Sequence, residues 1–303
     1  MKTTLCSKGV QTLKKKKHYL IHIIMLLTVF VFVYPFLIIV GSSFQSVSDL
    51  NANGYRIIPG QWTLASYKAV LQNPQTLVRA YGITILTSAI TVVCGVFVCS
   101  TCAYVMTRKS YRYKKILSLI VFLPMILGGG LVASYINIVK NLGLRDNIWV
   151  LILPMLVSPW YMLLMKGFLS SIPEAMIESA KMDGASEFRV FTQFVVPLSK
   201  PAIATIALFF LLDSWNEWYN SMLYIDNQNL VKLQFLLMKI QSSIDFLNSA
   251  EALQFGAVKS GQEVPTEGAR MAMCLLAAGP MLVVFPFFQK YFVRGLTIGS
   301  VKG

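Results

Sequence analysis

Four carboxylates in this chain stand where they could do chemistry. Glu174 and Glu178 are four residues apart in a polar stretch, and on a helix this spacing places both side chains on one face. Such a pair suits contact with basic groups of a docking protein. Asp213 and Glu217 fall inside a long apolar run. A charge at the centre of a membrane span costs about 2.5 to 3.5 kcal/mol, so we expect these two to face a cavity or a protein partner.

The residues around Asp213 and Glu217 suit a sugar. Both carboxylates accept hydrogen bonds, and Asn216 donates and accepts. Trp215 and Trp218 offer flat apolar faces on which the C–H face of a sugar can stack. Two other interpretations remain open: these residues lock the helix to a partner protein, or Trp218 anchors the chain at the membrane interface. A fourth, an intramembrane enzyme using Asp213 and Glu217 as acid and base, lacks an accompanying His or metal cluster.

The composition places these residues in a membrane protein. Hydrophobic residues make up 55% of the 303 positions and charged residues 13%, which is too few charges to coat a soluble globule. The apolar residues form six blocks, each near or above the roughly 18 residues that a helix needs to cross a bilayer. These predicted spans are residues 19–40, 80–106, 116–139, 148–165, 201–225 and 271–288. We therefore expect an all-α integral membrane protein with six transmembrane helices.

The basic residues predict the orientation of these spans. With the N-terminus in the cytoplasm, 18 of the 27 Lys and Arg residues lie on the cytoplasmic side and 9 on the other, as the positive-inside rule requires. Both termini are then cytoplasmic. The net charge of +14 could suggest nucleic acid, but four consecutive lysines, residues 14–17, directly precede the first span. We assign them to topology and lipid contact, and expect no nucleic-acid partner.

The predicted organisation follows from the spans. The first apolar block has about 22 residues, longer than the apolar region of a cleaved signal peptide, so we interpret it as an uncleaved anchor. The cysteines and histidines show no metal-ligand spacing, and we expect no metal site. The predicted parts are a basic tail (1–18), the first anchor (19–40), an external loop (41–79), a core of five spans (80–290) that contains a polar interruption (171–197) and a second external loop (226–268), and a tail (291–303).

The polar interruption predicts two short helices joined at a glycine. Ser171 is a candidate N-cap, and Glu174 three residues later completes a capping box. Gly184 suits the left-handed residue that ends a helix. Ser186 can open a second helix, which Pro197 would end.

Several spans carry features of an internal or bent helix. The second block is rich in small and hydroxyl-bearing residues, which allow close helix contacts, so we expect it at the centre of the bundle. Proline and glycine in the third and fourth blocks predict kinks; these residues are Pro124, Gly128, Gly129, Gly130, Pro154 and Pro159.

The interruption resembles a known motif. Glu178-Ser179-Ala180, three residues, Gly184, nine residues and then Phe194 to Pro197 is similar to the EAA loop of permease subunits in bacterial ABC importers. That loop reads Glu-Ala-Ala, three residues, Gly, nine residues, Ile-x-Leu-Pro. Ser179, Phe194 and Val196 depart from it modestly. The resemblance extends through residues 213–218 and 289–303 to carbohydrate-type permeases that include the inner maltose permease subunit, above all to the oligosaccharide branch.

The resemblance implies a type I importer permease with six transmembrane helices and cytoplasmic EAA coupling helices. It implies a second permease, most simply as a heterodimer, two ATPase subunits and an extracellular solute-binding lipoprotein that delivers a saccharide. The residues implied to couple to the ATPase are Glu174, Glu178, Ser179, Ala180, Asp183, Gly184 and Pro197. The tail residues implied to touch the ATPase subunits are Gly299 and Lys302. The candidate substrate-path residues are Asp213, Trp215, Asn216, Glu217 and Trp218.

The chain contains no phosphate-binding loop of the Gly-x-x-x-x-Gly-Lys-Ser/Thr type. We therefore expect ATP and Mg to bind the separate ATPase subunits, no cofactor to bind this chain, and no enzymatic activity of its own. The implied location is the bacterial cytoplasmic membrane. A permease for a non-sugar solute remains the alternative, because amino acid, phosphate and sulfate permeases also carry an EAA loop.

Overall fold

The computed structural model describes the backbone of residues 2–247 and 266–299 and the side chains of residues 19–246 and 267–289. Within these ranges the chain is mostly helical and has no strand, apart from an isolated antiparallel bridge between Gln45 and Trp62. The predicted all-α class is confirmed.

The described residues form fifteen α-helices, which we number in chain order. They are α1 (Lys2–Ser43), α2 (Val47–Asn53), α3 (Ala65–Val70), α4 (Pro74–Thr107), α5 (Lys114–Ile126), α6 (Leu131–Ile136), α7 (Leu153–Leu156), α8 (Pro159–Leu169), α9 (Glu174–Met182), α10 (Glu187–Val190), α11 (Val196–Leu198), α12 (Lys200–Asn216), α13 (Tyr219–Tyr224), α14 (Leu233–Leu247) and α15 (Thr266–Gly299). Two π-turns, Asn137–Asn141 and Phe191–Val195, and a 3₁₀ turn, Ile148–Leu151, extend them.

Three of the predicted spans correspond to helices long and apolar enough to cross a membrane: Tyr19–Ser43, Pro74–Thr107 and Glu267–Gln289. The third and fourth predicted spans fall on bent helix pairs, and the fifth overlaps only the second helix of a third pair, Glu187–Leu198 with Lys200–Asn216. The number of candidate spans rises to six if each pair counts as one span. The bends have local causes. The third block turns by 115° at its glycines, where Gly130 has a φ of 74°. The fourth turns by 42° just before Pro159.

The fifth predicted span, residues 201–225, is not one continuous helix. α12 ends at Asn216, and α13 begins at Tyr219. Glu217 and Trp218 form the interruption between them.

The described chain divides into two compact units. Of the described residues, one unit contains 2–72, 240–247 and 266–278, and the other contains 73–239 and 279–299. In the second unit, α4 packs against α8 and α12 around a buried apolar cluster. At Gly95 of α4, a Cβ atom would lie 2.9 Å from the Phe210 ring of α12, so the two helices approach closely. Five hydroxyl-bearing residues of α4 are also buried, which confirms the prediction that the second block is a core helix; they are Thr84, Thr87, Ser88, Thr91 and Ser100.

Candidate coupling segment and substrate-path residues

The polar interruption forms two helical pieces, and we name residues 174–198 the coupling segment. The first piece, α9, begins at Glu174 and not at Ser171. Ser171 Oγ donates to the Phe168 carbonyl at 2.7 Å and so belongs to the end of α8. Pro173 has a ψ of 127°, so helical geometry can start only after it. The predicted capping box is therefore wrong.

The end of α9 follows the prediction. Gly184 has a φ of +80°, a conformation that favours glycine. The Ala185 N–H donates to the Ala180 carbonyl at 3.0 Å, and the Gly184 N–H to the Lys181 carbonyl at 2.9 Å. These two bonds form a Schellman motif.

The second helical piece starts and ends close to the predicted positions. Ser186 Oγ accepts from the Arg189 N–H at 3.3 Å and caps α10. The helical path continues through the π-turn and α11 to Leu198, one residue beyond Pro197. Because Pro197 has no N–H to donate, the hydrogen-bond ladder is already interrupted there. The chain then bends by 82° into α12.

The coupling segment has an inner and an outer row of side chains. Ile177, Ala180 and Val190 are buried in the apolar cluster, whereas Met182 and Phe188 are 88% and 73% exposed. The predicted coupling residues divide between the rows. Ala180, with 4% exposure, packs inside the chain, so its small side chain supports the segment instead of reaching a partner. The exposed ones are Glu178, Ser179, Asp183, Gly184 and Pro197.

A carboxylate that the sequence analysis did not single out joins three helices. Tyr104 Oη near the end of α4 donates to Glu187 Oε2 at 2.6 Å. Lys181 of α9 forms an ion pair with the other oxygen of Glu187, the first residue of α10. The Tyr104 ring also packs on Phe191, with centroids 5.1 Å apart. The coupling segment is thus tied to the end of α4.

A second tie is an ion pair between Lys109 and Glu174. The hydrogen bond from Lys109 to this carboxylate raises the pKa of Lys109. Glu174 therefore has a basic partner within its own chain. The prediction that Glu174 and Glu178 meet basic groups of a docking protein is supported by exposure for Glu178 alone.

The interruption at Glu217 and Trp218 is held by a buried lysine. Lys232 is 0% exposed, donates to the carbonyl of Ser214 in the last turn of α12, and lies 3.8 Å from Glu217 Oε2. Glu217 Oε1 accepts from the Asn220 N–H at 2.5 Å in the first turn of α13. Lys232 therefore neutralises Glu217 and satisfies a carbonyl at the end of α12.

α4 contacts both sides of this interruption. Ser88 Oγ donates to Ser214 Oγ at 3.1 Å. Thr84 Oγ1 accepts from the Leu233 N–H, next to Lys232, at 2.8 Å. The same helix therefore touches the coupling segment at one end and the Glu217 interruption toward the other.

The five candidate path residues do not share one environment. Trp215 is buried, with its ring centroid 6.4 Å from that of Tyr81, and Glu217 pairs with Lys232. These two residues pack within the chain itself, whereas the locking interpretation placed them against a separate partner protein.

The other three path residues lie at the surface of the chain. Asp213 is exposed and accepts from Tyr161 Oη at 2.5 Å. Asn216 accepts from Gln234 Nε2 at 3.3 Å, and Trp218 is exposed. Asp213, Asn216 and Trp218 are the ones that a solute could reach.

The remaining predicted positions lie near or beyond the described chain. Gly299 is the last residue of α15, and Lys302 lies outside the described residues. No group of three or more His, Cys, Asp and Glu side chains is placed to hold a metal ion in the described part of the chain.

Comparison with known proteins identifies relatives over nearly the full length. Residues 14–298 match the family of binding-protein-dependent transport system inner membrane components. The protein LplC of Bacillus subtilis is 35% identical over 271 residues, which cover 89% of this chain and 90% of LplC. The polygalacturonan/rhamnogalacturonan transport system permease protein YtcP of the same species is 31% identical over 284 residues, which cover 94% and 97% of the two chains.

A solved structure shares the fold. A chain of a bacterial ABC transporter involved in the import of the acidic polysaccharide alginate superposes with a TM-score of 0.72 at 24% identity. The superposition covers 90% of this chain and 95% of that chain.

Proposed function

The chain belongs to the family of binding-protein-dependent transport system inner membrane components, and we propose that it is the permease subunit of an ATP-driven importer that brings an oligosaccharide into a bacterial cell. As a membrane component of an ABC transporter it is not an enzyme. Relatives named for polygalacturonan and rhamnogalacturonan, arabinooligosaccharides and galactooligosaccharides support the saccharide. The path residues Asp213, Asn216 and Trp218 offer suitable acceptors and an aromatic face.

The observation that carries the coupling role is the outer row of the coupling segment. Met182 and Phe188 are large apolar side chains that are largely exposed beside the polar, exposed Glu178 and Asp183. An apolar centre with a polar rim is typical of a protein interface. We infer that this row docks on an ATPase subunit.

The inner contacts of the segment suggest how ATPase closure reaches the membrane helices. A displacement of α9 and α10 pulls on Glu187, and Glu187 holds Tyr104 of α4. Through Ser88 and Thr84, α4 contacts Ser214 and Leu233 on the two sides of the Glu217 interruption. In this proposal α4 carries the motion from the cytoplasmic side to the substrate path and so changes the side from which the path is accessible.

The proposed assembly contains this chain, a second permease, two ATPase subunits that bind ATP and Mg, and an extracellular solute-binding lipoprotein. A bacterial alginate ABC transporter with a chain of similar fold was solved in complex with an alginate pentasaccharide-bound periplasmic protein, which supports the last partner. In the proposed topology the chain crosses the cytoplasmic membrane several times, with both termini in the cytoplasm. The tail with Gly299 and Lys302 would then lie within reach of the ATPase subunits.

Asp213 is the candidate path residue whose role in the substrate path can be tested most directly. Tyr161 orients its carboxylate, so Asp213→Asn keeps the size and a hydrogen-bonding group while removing the charge. If Asp213 lines the path, the variant changes the relative uptake rates of competing oligosaccharides. An unchanged preference at normal expression would assign Asp213 to packing.

The proposed function is tested by purifying the tagged chain from its native membrane in mild detergent. Recovery of a second permease and an ATPase with ATP hydrolysis stimulated by a loaded binding protein is the expected result. Screening that binding protein against neutral oligosaccharides, uronate oligosaccharides and amino acids then distinguishes a saccharide from the non-sugar alternative. Recovery of the chain alone under several gentle conditions would contradict the importer.

A further inference from the structure

The chain that follows α1 folds back along this helix. Gln45, just past the end of α1, forms the isolated antiparallel bridge with Trp62. Five residues before Trp62, the backbone of Ile57 lies directly against Gly41 of α1. A Cβ atom on Gly41 would overlap the Ile57 carbonyl oxygen. Residue 62 is therefore level with residue 45, and residue 57 with residue 41. The direction from 62 to 57 runs back toward the middle of α1, and we name residues 55–62 the return loop.

The return places Ile57 near the membrane boundary. The apolar part of α1, Tyr19–Ser43, has 25 residues and at 1.5 Å per residue spans about 37 Å. The hydrocarbon of a bilayer is about 30 Å thick. When this helix is centred, its last turn lies at the edge of the hydrocarbon, and Gly41 is in that turn. The tip of the return loop therefore reaches the depth at which acyl chains meet headgroups.

The side chains of the return loop have the chemistry of a membrane interface. Ile58 is 76% exposed, and Ile57, Tyr55 and Trp62 are exposed as well. Exposed Arg56 lies between the aromatic and aliphatic residues. Tyr and Trp favour the headgroup level, aliphatic side chains favour the acyl chains, and a guanidinium can pair with phosphate.

The return loop is held in this position by a buried carboxylate. Asp49 of α2 accepts from the Gly60 N–H at 2.9 Å and the Gln61 N–H at 3.3 Å, and from Asn53 Nδ2 at 2.8 Å. The Asn53 bond, followed by these backbone bonds, keeps the pKa of Asp49 below its usual value. These hydrogen bonds fix the loop to α2, and its apolar tip stays exposed at the surface of the chain.

We propose that the return loop is an interfacial lipid anchor, inserted at the boundary of headgroups and acyl chains in the leaflet at the carboxyl end of α1. In the proposed orientation this is the external leaflet. The loop continues the surface of α1, whose most apolar window has no buried residue in this chain. Its occupant is phospholipid, and contact with the binding protein or the second permease is the competing outcome of the test.

Photoactivatable phospholipids test this anchor on the unmodified chain in its whole assembly. One lipid carries a diazirine near the glycerol, and the other carries it at the acyl terminus. Trypsin cleavage after Arg56 and Lys68 gives a peptide of residues 57–68 that contains the tip. We expect the shallow probe to label Ile57 and Ile58 in this peptide, and the deep probe to label the middle of α1 instead.

Two variants provide the control. Ile58→Asn should lower the labelled fraction of the peptide several-fold relative to α1, whereas Leu64→Asn, at an exposed position beyond the tip, should leave it unchanged. A peptide that stays unlabelled while α1 is labelled would show that protein or water covers the loop and would overturn the proposal. Equal labelling by both probes would overturn it too.

Discussion

The coupling segment and the Glu217 interruption both contain charged groups at or between helices, but the charges are paired differently in the two regions. In the coupling segment, Glu178 and Asp183 remain exposed, and the ion pairs of Glu174 and Glu187 are at least partly accessible. At the interruption, Lys232 and Glu217 are buried against each other. Surface ion pairs are worth little, whereas breaking a buried pair is costly. The first region is therefore suited to exchange partners, and the second to hold the fold.

The comparison predicts that the largest effect on transport comes from the coupling segment. Glu178→Lys reverses a charge in the exposed row, where the ATPase is proposed to dock, and should abolish sugar uptake in whole cells. The chain should still fold and enter the membrane, because Glu178 is exposed. Ser110→Lys, in the neighbouring exposed turn, is the matched control and should transport normally. Wild-type uptake by the Glu178 variant would remove this region from coupling.

The largest effect on stability should come from the interruption. Lys232→Met leaves Glu217 buried without its cation and should destabilise the chain by about 3 to 5 kcal/mol. Thermal unfolding in detergent measures this loss. Adding Glu217→Gln should recover much of it, because the double variant no longer buries an unpaired charge. A double variant as unstable as Lys232→Met would mean that the lysine acts through the Ser214 carbonyl alone.

A smaller effect is expected at the turn of the coupling segment. Gly184→Ala places a Cβ at a φ of +80°, which costs about 1 to 2 kcal/mol for a side-chain-bearing residue. Nothing crowds the site within 4 Å, so the cost is conformational. Uptake should fall through a misdirected turn while expression stays near normal. Gly167→Ala, which is helical and also uncrowded, should have little effect.

The smallest change in stability, yet an informative one, is predicted at the tie between the two regions. Tyr104→Phe removes the hydroxyl that donates to Glu187 and should cost about 1 kcal/mol. If this bond transmits motion, ATP hydrolysis continues while uptake per assembled complex falls. Glu187→Gln should lower uptake to the same extent. The double variant Tyr104→Phe with Glu187→Gln should lower it no further. Tyr113→Phe is the control. Uptake that falls only in proportion to expression would show a structural role.

Local sequence signals predict the turn and the second helix of the coupling segment. Gly184 and Ser186 have strong conformational preferences, and both occupy the predicted positions. The predicted N-cap at Ser171 is wrong because Pro173 has an extended ψ, so the helix begins only after it. The burial of Ala180 follows helical spacing from Ile177, but the family pattern alone suggested an outward contact.

Contacts between residues that are distant in the sequence could not be predicted from it. Tyr104 and Glu187 are 83 residues apart in sequence, and Lys232 is 18 residues from the Ser214 carbonyl it caps. Lys232 lies in the predicted external loop 226–268, and a single lysine beyond a span carries no sign of burial. The continuous fifth span was likewise predicted from hydropathy, which does not register that Glu217 and Trp218 interrupt the helix.

A photo-crosslink from the outer row of the coupling segment tests whether this segment docks on an ATPase subunit. Met182 is 88% exposed, so replacing it with p-benzoylphenylalanine should leave the fold intact. In membranes that contain the whole assembly, we expect an adduct between this chain and an ATPase subunit, with a yield that changes when ATP is added. An adduct with lipid or with another permease alone would contradict the coupling role.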